Sequence, residues 1–201
     1  DGSSTGTKAT FSFWHKRSGR MDYQEAIFSA SNSARRNTFR FNDAGKLIFY
    51  LSAEESGTAN DPITTAIFRD PAAWSHYVFS FDTANATAGN RLRVWVNGVE
   101  LTNWDTAPDI SRYAQFTFSR FSSACHHGWG AEGTYYHSDG DNGIGGYLAE
   151  VFYADGTAVT DASKFGMYND EGVWGPIQPT ASAGAAGYYL EFQNSGELGT
   201  D

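Results

Sequence analysis

Several things are scarce in this chain of 201 residues, and each shortage excludes a class of protein. No stretch stays apolar for the roughly 20 residues a helix needs to cross a bilayer. The start carries no signal-peptide pattern. Positive charge is short: 14 Lys and Arg stand against 23 Asp and Glu, a net charge of −9, which argues against a nucleic-acid partner because phosphate neutralisation needs a basic surface. Cys125 is the only cysteine, so no intrachain disulfide can form. Helix patterns are nearly missing as well. The one candidate is TDASKFG, with Thr160 or Asp161 as cap and Gly166 as stop, long enough for one or two turns. No fixed-period repeat is visible.

Aromatic residues and glycines are plentiful instead. Phe, Tyr and Trp make up 16% of the chain, a mixture that favours strands and tight turns. Period-two alternation recurs along it. In ATFSFWHKRS, Ala9, Phe11 and Phe13 share one side, and Thr10, Ser12 and Trp14 the other. EAIFSAS, NTFRF, KLIFYLS, TTAIFRD, WSHYVFSFD, RLRVWVNGVELT, AQFTFSRF, GGYLAEVFYAD and AGYYLEFQN continue the pattern. Asn97-Gly98 between apolar runs is a strong hairpin signal, and Asn42-Asp43-Ala44-Gly45 is a second turn. These features predict an all-β fold, a two-sheet antiparallel β-sandwich, as one domain over residues 1–201. The chain opens on Asp1 and stops at LGTD, and so reads as a segment of a longer one.

Residues 123–143, SACHHGWGAEGTYYHSDGDNG, concentrate chemistry-bearing side chains. Residues 121–201 hold 1 Lys or Arg against 11 Asp and Glu, a balance that suits a hard cation better than an anionic ligand. Asp139, Asp141 and Asn142, with glycines between and after them, offer oxygen ligands for calcium; the alternative is an ordinary Asx turn. Cys125, His126, His127 and His137 are zinc-type ligands, but the spacing fits no paired-knuckle site, and exposed loop histidines are the favoured reading. Trp129, Tyr135 and Tyr136 can present flat faces to a pyranose, with His137 and Asp139 fixing its hydroxyls; the alternative is that these rings fold back over a sheet. Gly128 and Gly130 suggest an indole on a mobile turn. Trp14, Trp74, His76 and Trp95 lie in strand patterns and read as packing residues, and His76 as a satisfied structural histidine.

The stretch DPAAWSHYVFSFDTANATAGNRLRVWVNGVEL resembles the central hairpin of laminin-G-like, concanavalin A-like lectin/glucanase domains. GYLAEVFYADGTAVT is similar to their closing strand, and TFSFWHKRS to their opening one. Together with SKFGMYNDEGVWGPIQP and GYYLEFQNSGELGTD, the likeness is to the version found in bacteriophage tail-fibre and virion-surface proteins, from about Thr10 to Asp201. It implies a jelly roll on the virion surface that binds host-surface glycans, contacts other virion proteins and forms a homo-oligomer, outside the cell and without entering a membrane. It also implies packing for Trp104 and Trp174, which lie in or near connections where such sequences carry an apolar residue or Trp. Two departures stand out. His15 occupies a position usually aliphatic, which suggests a strand less buried there, and residues 122–143 read as an insertion on the scaffold.

Hydrolases of this fold carry E-x-D-x-x-E on one strand, which places the paired carboxyls that glycoside hydrolysis needs. No such run exists here, and Glu150 stands alone in YLAEVFY. The expectation is therefore a non-enzymatic module, with a purely structural virion decoration and a polysaccharide depolymerase as its rivals.

Overall fold

The computed structural model of the chain describes residues 6–18, 24–31, 36–51, 60–114, 116, 126–131 and 143–192. Strands are numbered along the chain. The first sheet runs Tyr188–Leu190 (β14), Gly146–Asp155 (β11), Lys8–Arg17 (β1), Ser75–Asp82 (β6), Leu92–Val96 (β7) and Val99–Glu100 (β8). The second runs His126–Trp129 (β10), Glu25–Ser31 (β2), Arg36–Phe41 (β3), Lys46–Tyr50 (β4), Ile63–Ile67 (β5) and Trp104–Thr106 (β9). Gly166–Tyr168 (β12) and Trp174–Pro176 (β13) form a separate hairpin. Neighbouring strands pair antiparallel, as alternation with short turns requires.

The core is aromatic because the inward positions of the longest strands are. Phe11 and Phe13 on β1 and Tyr77, Phe79 and Phe81 on β6 meet Phe28, Phe39, Phe41 and Phe49 from the second sheet. Phe11 lies 4.8 Å from Phe28 and 5.0 Å from Phe39, and Phe49 meets Phe79 edge-on at 4.9 Å. Tilted and edge-on rings at this spacing suit aromatic quadrupoles. At Asn97 (φ 48°) and Gly98 (φ 81°) the chain makes the two-residue turn expected between β7 and β8.

No α-helix occurs among the described residues. TDASKFG becomes a 3-10 turn over Ala162–Lys164, where the Asp161 side chain accepts from the Ser163 N–H at 2.9 Å.

Alternation makes Thr10, Ser12, Trp14 and Ser80 look solvent-facing, yet all four are buried. The segment after β11 crosses the outer face of the first sheet, and hydroxyls bind its backbone. Thr10 Oγ1 donates to the Thr157 carbonyl at 2.8 Å and accepts from the Val159 N–H at 3.2 Å, while Ser80 Oγ donates to the Val159 carbonyl at 2.8 Å. Under this cover Val78, Trp95, Phe152, Ala154, Val159 and Phe165 form a second apolar cluster. The first sheet is therefore covered over part of its outer face as well as on its inner one.

His15 is a correction to the expectation of reduced burial. It is only 1% exposed, on the inner face with its ring 5.8 Å from Phe41, and its Nε2–H donates to the Gly145 carbonyl at 3.2 Å. Burial, helped by the nearby Arg17 guanidinium, pushes its pKa down to about 4, so the ring is neutral and packs as an apolar one would.

Candidate functional site

A cavity of about 320 Å³ opens on the outer face of the first sheet, lined by Trp14, Trp74, Ala149, Glu150, Trp174 and Pro176. Four stretches of chain build it. Trp14 stands on the outer side of β1, opposite Phe13. Trp74 precedes β6 and is 41% exposed. Trp174 and Pro176 come from β13, and Ala149 and Glu150 from β11.

The last two are neighbours, and neighbours in a regular strand point to opposite faces. Here the register resets. Ser12 pairs with Phe152 but Trp14 pairs with Ala149, so one extra residue sits in β11. The irregularity is a β-bulge that includes Glu150, whose φ of 51° lies in the left-handed region. The bulge lets Ala149 and Glu150 line one cavity while Leu148 and Val151 both keep to the inner core. Holding a non-glycine residue there costs about 1–3 kcal/mol, and such outliers cluster at ligand clamps. The Tyr189 hydroxyl donates to Glu150 Oε2 and steadies the carboxylate.

The rear of the cavity is locked by His76. Trp174 Nε1–H can only donate, so His76 Nδ1, at 3.0 Å, accepts. The proton of the neutral ring then sits on Nε2, which donates to Ser12 Oγ at 2.8 Å. Burial lowers the His76 pKa to about 3, which keeps this tautomer neutral. The Trp14 and Trp174 rings flank His76 at 5.1 and 6.0 Å in near-parallel planes. His76 is thus the satisfied structural histidine the sequence suggests, and it also sets the pose of Trp174.

Trp174 lies against backbone on two sides. A Cβ on Gly98 would come within 2.6 Å of its ring, and one on Gly166 within 2.4 Å. Gly166→Val is therefore expected to expel the indole from its seat, with a loss of about 1–3 kcal/mol in urea unfolding and a changed tryptophan emission spectrum. An unchanged spectrum and stability would show that the glycine is not needed for the ring.

The loop residues singled out from sequence divide sharply. Tyr135, Tyr136, His137, Asp139, Asp141, Asn142 and Cys125 lie outside the described residues. Trp129 is described, and its indole is packed rather than displayed. It belongs to β10, which pairs with β2 in the second sheet, so residues 126–129 are scaffold and not part of a flap. Its ring lies 5.1, 5.4 and 6.1 Å from Phe28, Phe13 and Phe11. Nε1–H donates to Tyr188 Oη at 2.6 Å, which ties the edge of the second sheet to the edge of the first. The glycines beside it serve pairing, not mobility: the Gly130 N–H donates to the Ile27 carbonyl at 2.8 Å. Among the described residues no group of three His, Cys, Asp or Glu side chains is placed to hold a metal.

Trp14, Trp74 and Trp174, read from sequence as packing, are the rings the fold brings together around open space. One signal was available. Trp14 occupies the polar side of its strand, in line with Thr10, Ser12 and Lys16, where alternation gives no reason for an indole.

The architecture is a layered antiparallel sandwich with an aromatic cavity on a sheet face. The sequence profile of the concanavalin A-like lectin/glucanases superfamily matches residues 1–150, and the chain belongs to that superfamily. No curated protein sequence matches it. Among solved structures it is similar to a native heptameric SAP-like pentraxin from Limulus polyphemus, at 14% identity and a TM-score of 0.47, over 77% of this chain and 66% of that one. Mouse laminin alpha1 chain domains LG4-5 match at 10% identity and a TM-score of 0.45, over 92% of this chain and 40% of that one. The chain thus spans less than two thirds of either. Trp174 and Pro176 lie beyond the part that the superfamily profile covers.

Proposed function

We propose that the domain is a non-enzymatic carbohydrate-binding module, and that the Trp14–Trp74–Trp174 cavity is its sugar site. The observation that carries this reading is the cavity itself: three indoles and one carboxylate around a space of about 320 Å³, within the size range of small-ligand sites. Apolar ring faces suit the C–H side of a pyranose, and Glu150 can accept from its hydroxyls. Among the described residues Glu150 is the only carboxylate lining the cavity, whereas glycoside hydrolysis uses two, which favours binding over turnover.

A glycan array tests it. Wild type is expected to bind a defined set of glycans, and Trp74→Ala to lose at least about tenfold in affinity with little change in Tm, because the ring is 41% exposed. Equal binding by both proteins would remove the cavity from the reading. Release of reducing ends from a bound polysaccharide would replace binding with catalysis.

The setting we propose is a bacteriophage virion surface, where the module is extracellular, contacts other virion proteins and engages host-surface glycans as a homo-oligomer. Many copies would compensate for the weakness of a single shallow site. A purely structural role in the same setting has an observation of its own in the exposed Met167, Tyr168 and Val173 on the β12–β13 hairpin. Calcium at Asp139, Asp141 and Asn142 is proposed from their chemistry. At a hundredfold excess over Kd the ion should add about 2.7 kcal/mol, seen as a higher Tm than in chelator. Identical melting in both removes it.

A further inference from the structure

We propose that the Trp14–Trp74–Trp174–Glu150 cavity takes a positively charged ammonium group: a protonated amine or a quaternary ammonium carried on the glycan. This deepens the carbohydrate reading and rests on the same cavity. Three observations support it.

The walls come first. Indole faces carry the negative side of the ring quadrupole, and tryptophan is the best of the aromatic partners for a cation placed over its face. Three indoles border one space, and Pro176 and Ala149 add apolar lining beside them.

Charge is the second observation. Among the described residues the lining holds one ionisable group, the Glu150 carboxylate, and no Lys, Arg or His. The imidazole behind the rings is neutral, since both of its nitrogens are satisfied by Ser12 and Trp174. A uronic acid or other anionic sugar would meet a carboxylate with nothing to offset it. A cation would meet a counter-ion and three electron-rich indoles, in a chain whose net charge of −9 favours its approach.

The third is the placement of the carboxylate. Glu150 shares the outer face with Phe152 and Ala154, two and four residues further along β11. The bulge turns Ala149 to the same face, so both border the cavity with the indoles, and Tyr189 donates to only one oxygen of Glu150 in the described contacts. A carboxylate has acceptor sites to spare beyond that bond. Neutral hydroxyls could use those sites too, so the experiment must separate charge from hydrogen bonding.

Calorimetric titration does so. Wild type would be titrated with tetramethylammonium, with choline, with the uncharged carbon isostere of choline, and with glucosamine beside glucose. The expected result is binding of the cations, and at least about tenfold weaker binding of the carbon isostere. Raising sodium chloride should weaken the cations only. Glu150→Gln keeps the side-chain shape and the Tyr189 contact; it should weaken cations about tenfold and leave glucose unchanged. Trp74→Ala should weaken every ligand. Preference for tetramethylammonium and choline would name a choline-type substituent, and preference for glucosamine an amino sugar. If neutral sugars bind and the carbon isostere matches choline, or if Glu150→Gln changes nothing, the ammonium proposal is overturned while the carbohydrate reading stands. If neither cations nor any glycan bind, both fall.

Discussion

Acidification from pH 7 to pH 5 is expected to remove about 4 kcal/mol of stability through two histidines, at about 1.4 kcal/mol per pKa unit for each. In the unfolded chain an imidazole takes up its proton near pH 6.5, whereas burial in the folded protein holds His15 at about 4 and His76 at about 3. Between those values the unfolded state binds the additional protons, so stability rises with pH. The contribution is fully present above pH 6.5 and is lost as pH falls toward the folded values. His15 is wedged against Phe41 on the inner face, and His76 lies between Trp14 and Trp174 on the outer one, so neither can charge without breaking a packed contact.

Urea unfolding at intervals from pH 7 to pH 5 gives the slope. It should approach two protons per molecule in addition to what the remaining groups contribute. His15→Leu should flatten the slope by about one proton and leave the His76 share intact. A slope identical in wild type and variant would show that His15 is protonated in the folded state. Because His76 seats Trp174, ligand affinity should survive until the fold itself begins to fail.

Replacing Arg17 by methionine is expected to destabilise the domain by about 3–5 kcal/mol, the usual result of removing one partner from a buried ion pair. Arg17 is 5% exposed and Glu25 fully buried, with Arg17 Nε donating to Glu25 Oε2 at 3.1 Å. The guanidinium also donates to the Phe68 carbonyl and lies over the Phe41 ring, 4.4 Å from its centre. It thus joins β1 in the first sheet to β2 and β3 in the second, at one end of the sandwich. Without it, the fully buried Glu25 carboxylate loses the guanidinium that donates to its Oε2. The double variant Arg17→Met with Glu25→Gln should recover much of the loss, since replacing both partners leaves no unpaired charge. Denaturant unfolding of the four proteins completes the cycle. A double variant as unstable as the sum of the singles would mean that the two side chains contribute independently, and the ion pair would not be the reason for the loss.

Strand periodicity made most of this architecture legible. Alternation in ATFSFWHKRS and WSHYVFSFD assigns Phe11, Phe13, Tyr77, Phe79 and Phe81 to one buried face, because side chains of a strand alternate whatever lies beside it. Asn97-Gly98 specifies its turn equally locally, since both residues accept positive φ. The cavity on the outer face could not be read the same way. Trp129, flanked by glycines in a residue-rich stretch, has every local mark of a displayed ring, yet pairing of β10 with β2 points it at Phe13 and Phe28.

What the sequence determined alone is therefore the sandwich: the strand faces, the hairpin turns and the aromatic core, all of which follow from neighbours within a few residues. Tertiary structure decided the rest. Whether the polar side of β1 meets water depends on a covering segment some 145 residues further along, held there by Thr10 and Ser80. Whether Glu150 joins Ala149 on the outer face depends on a register shift against β1 that no period within β11 reveals. The cavity gathers side chains from residue 14 to residue 176, and the distance between such partners along the chain leaves no periodic trace in the sequence.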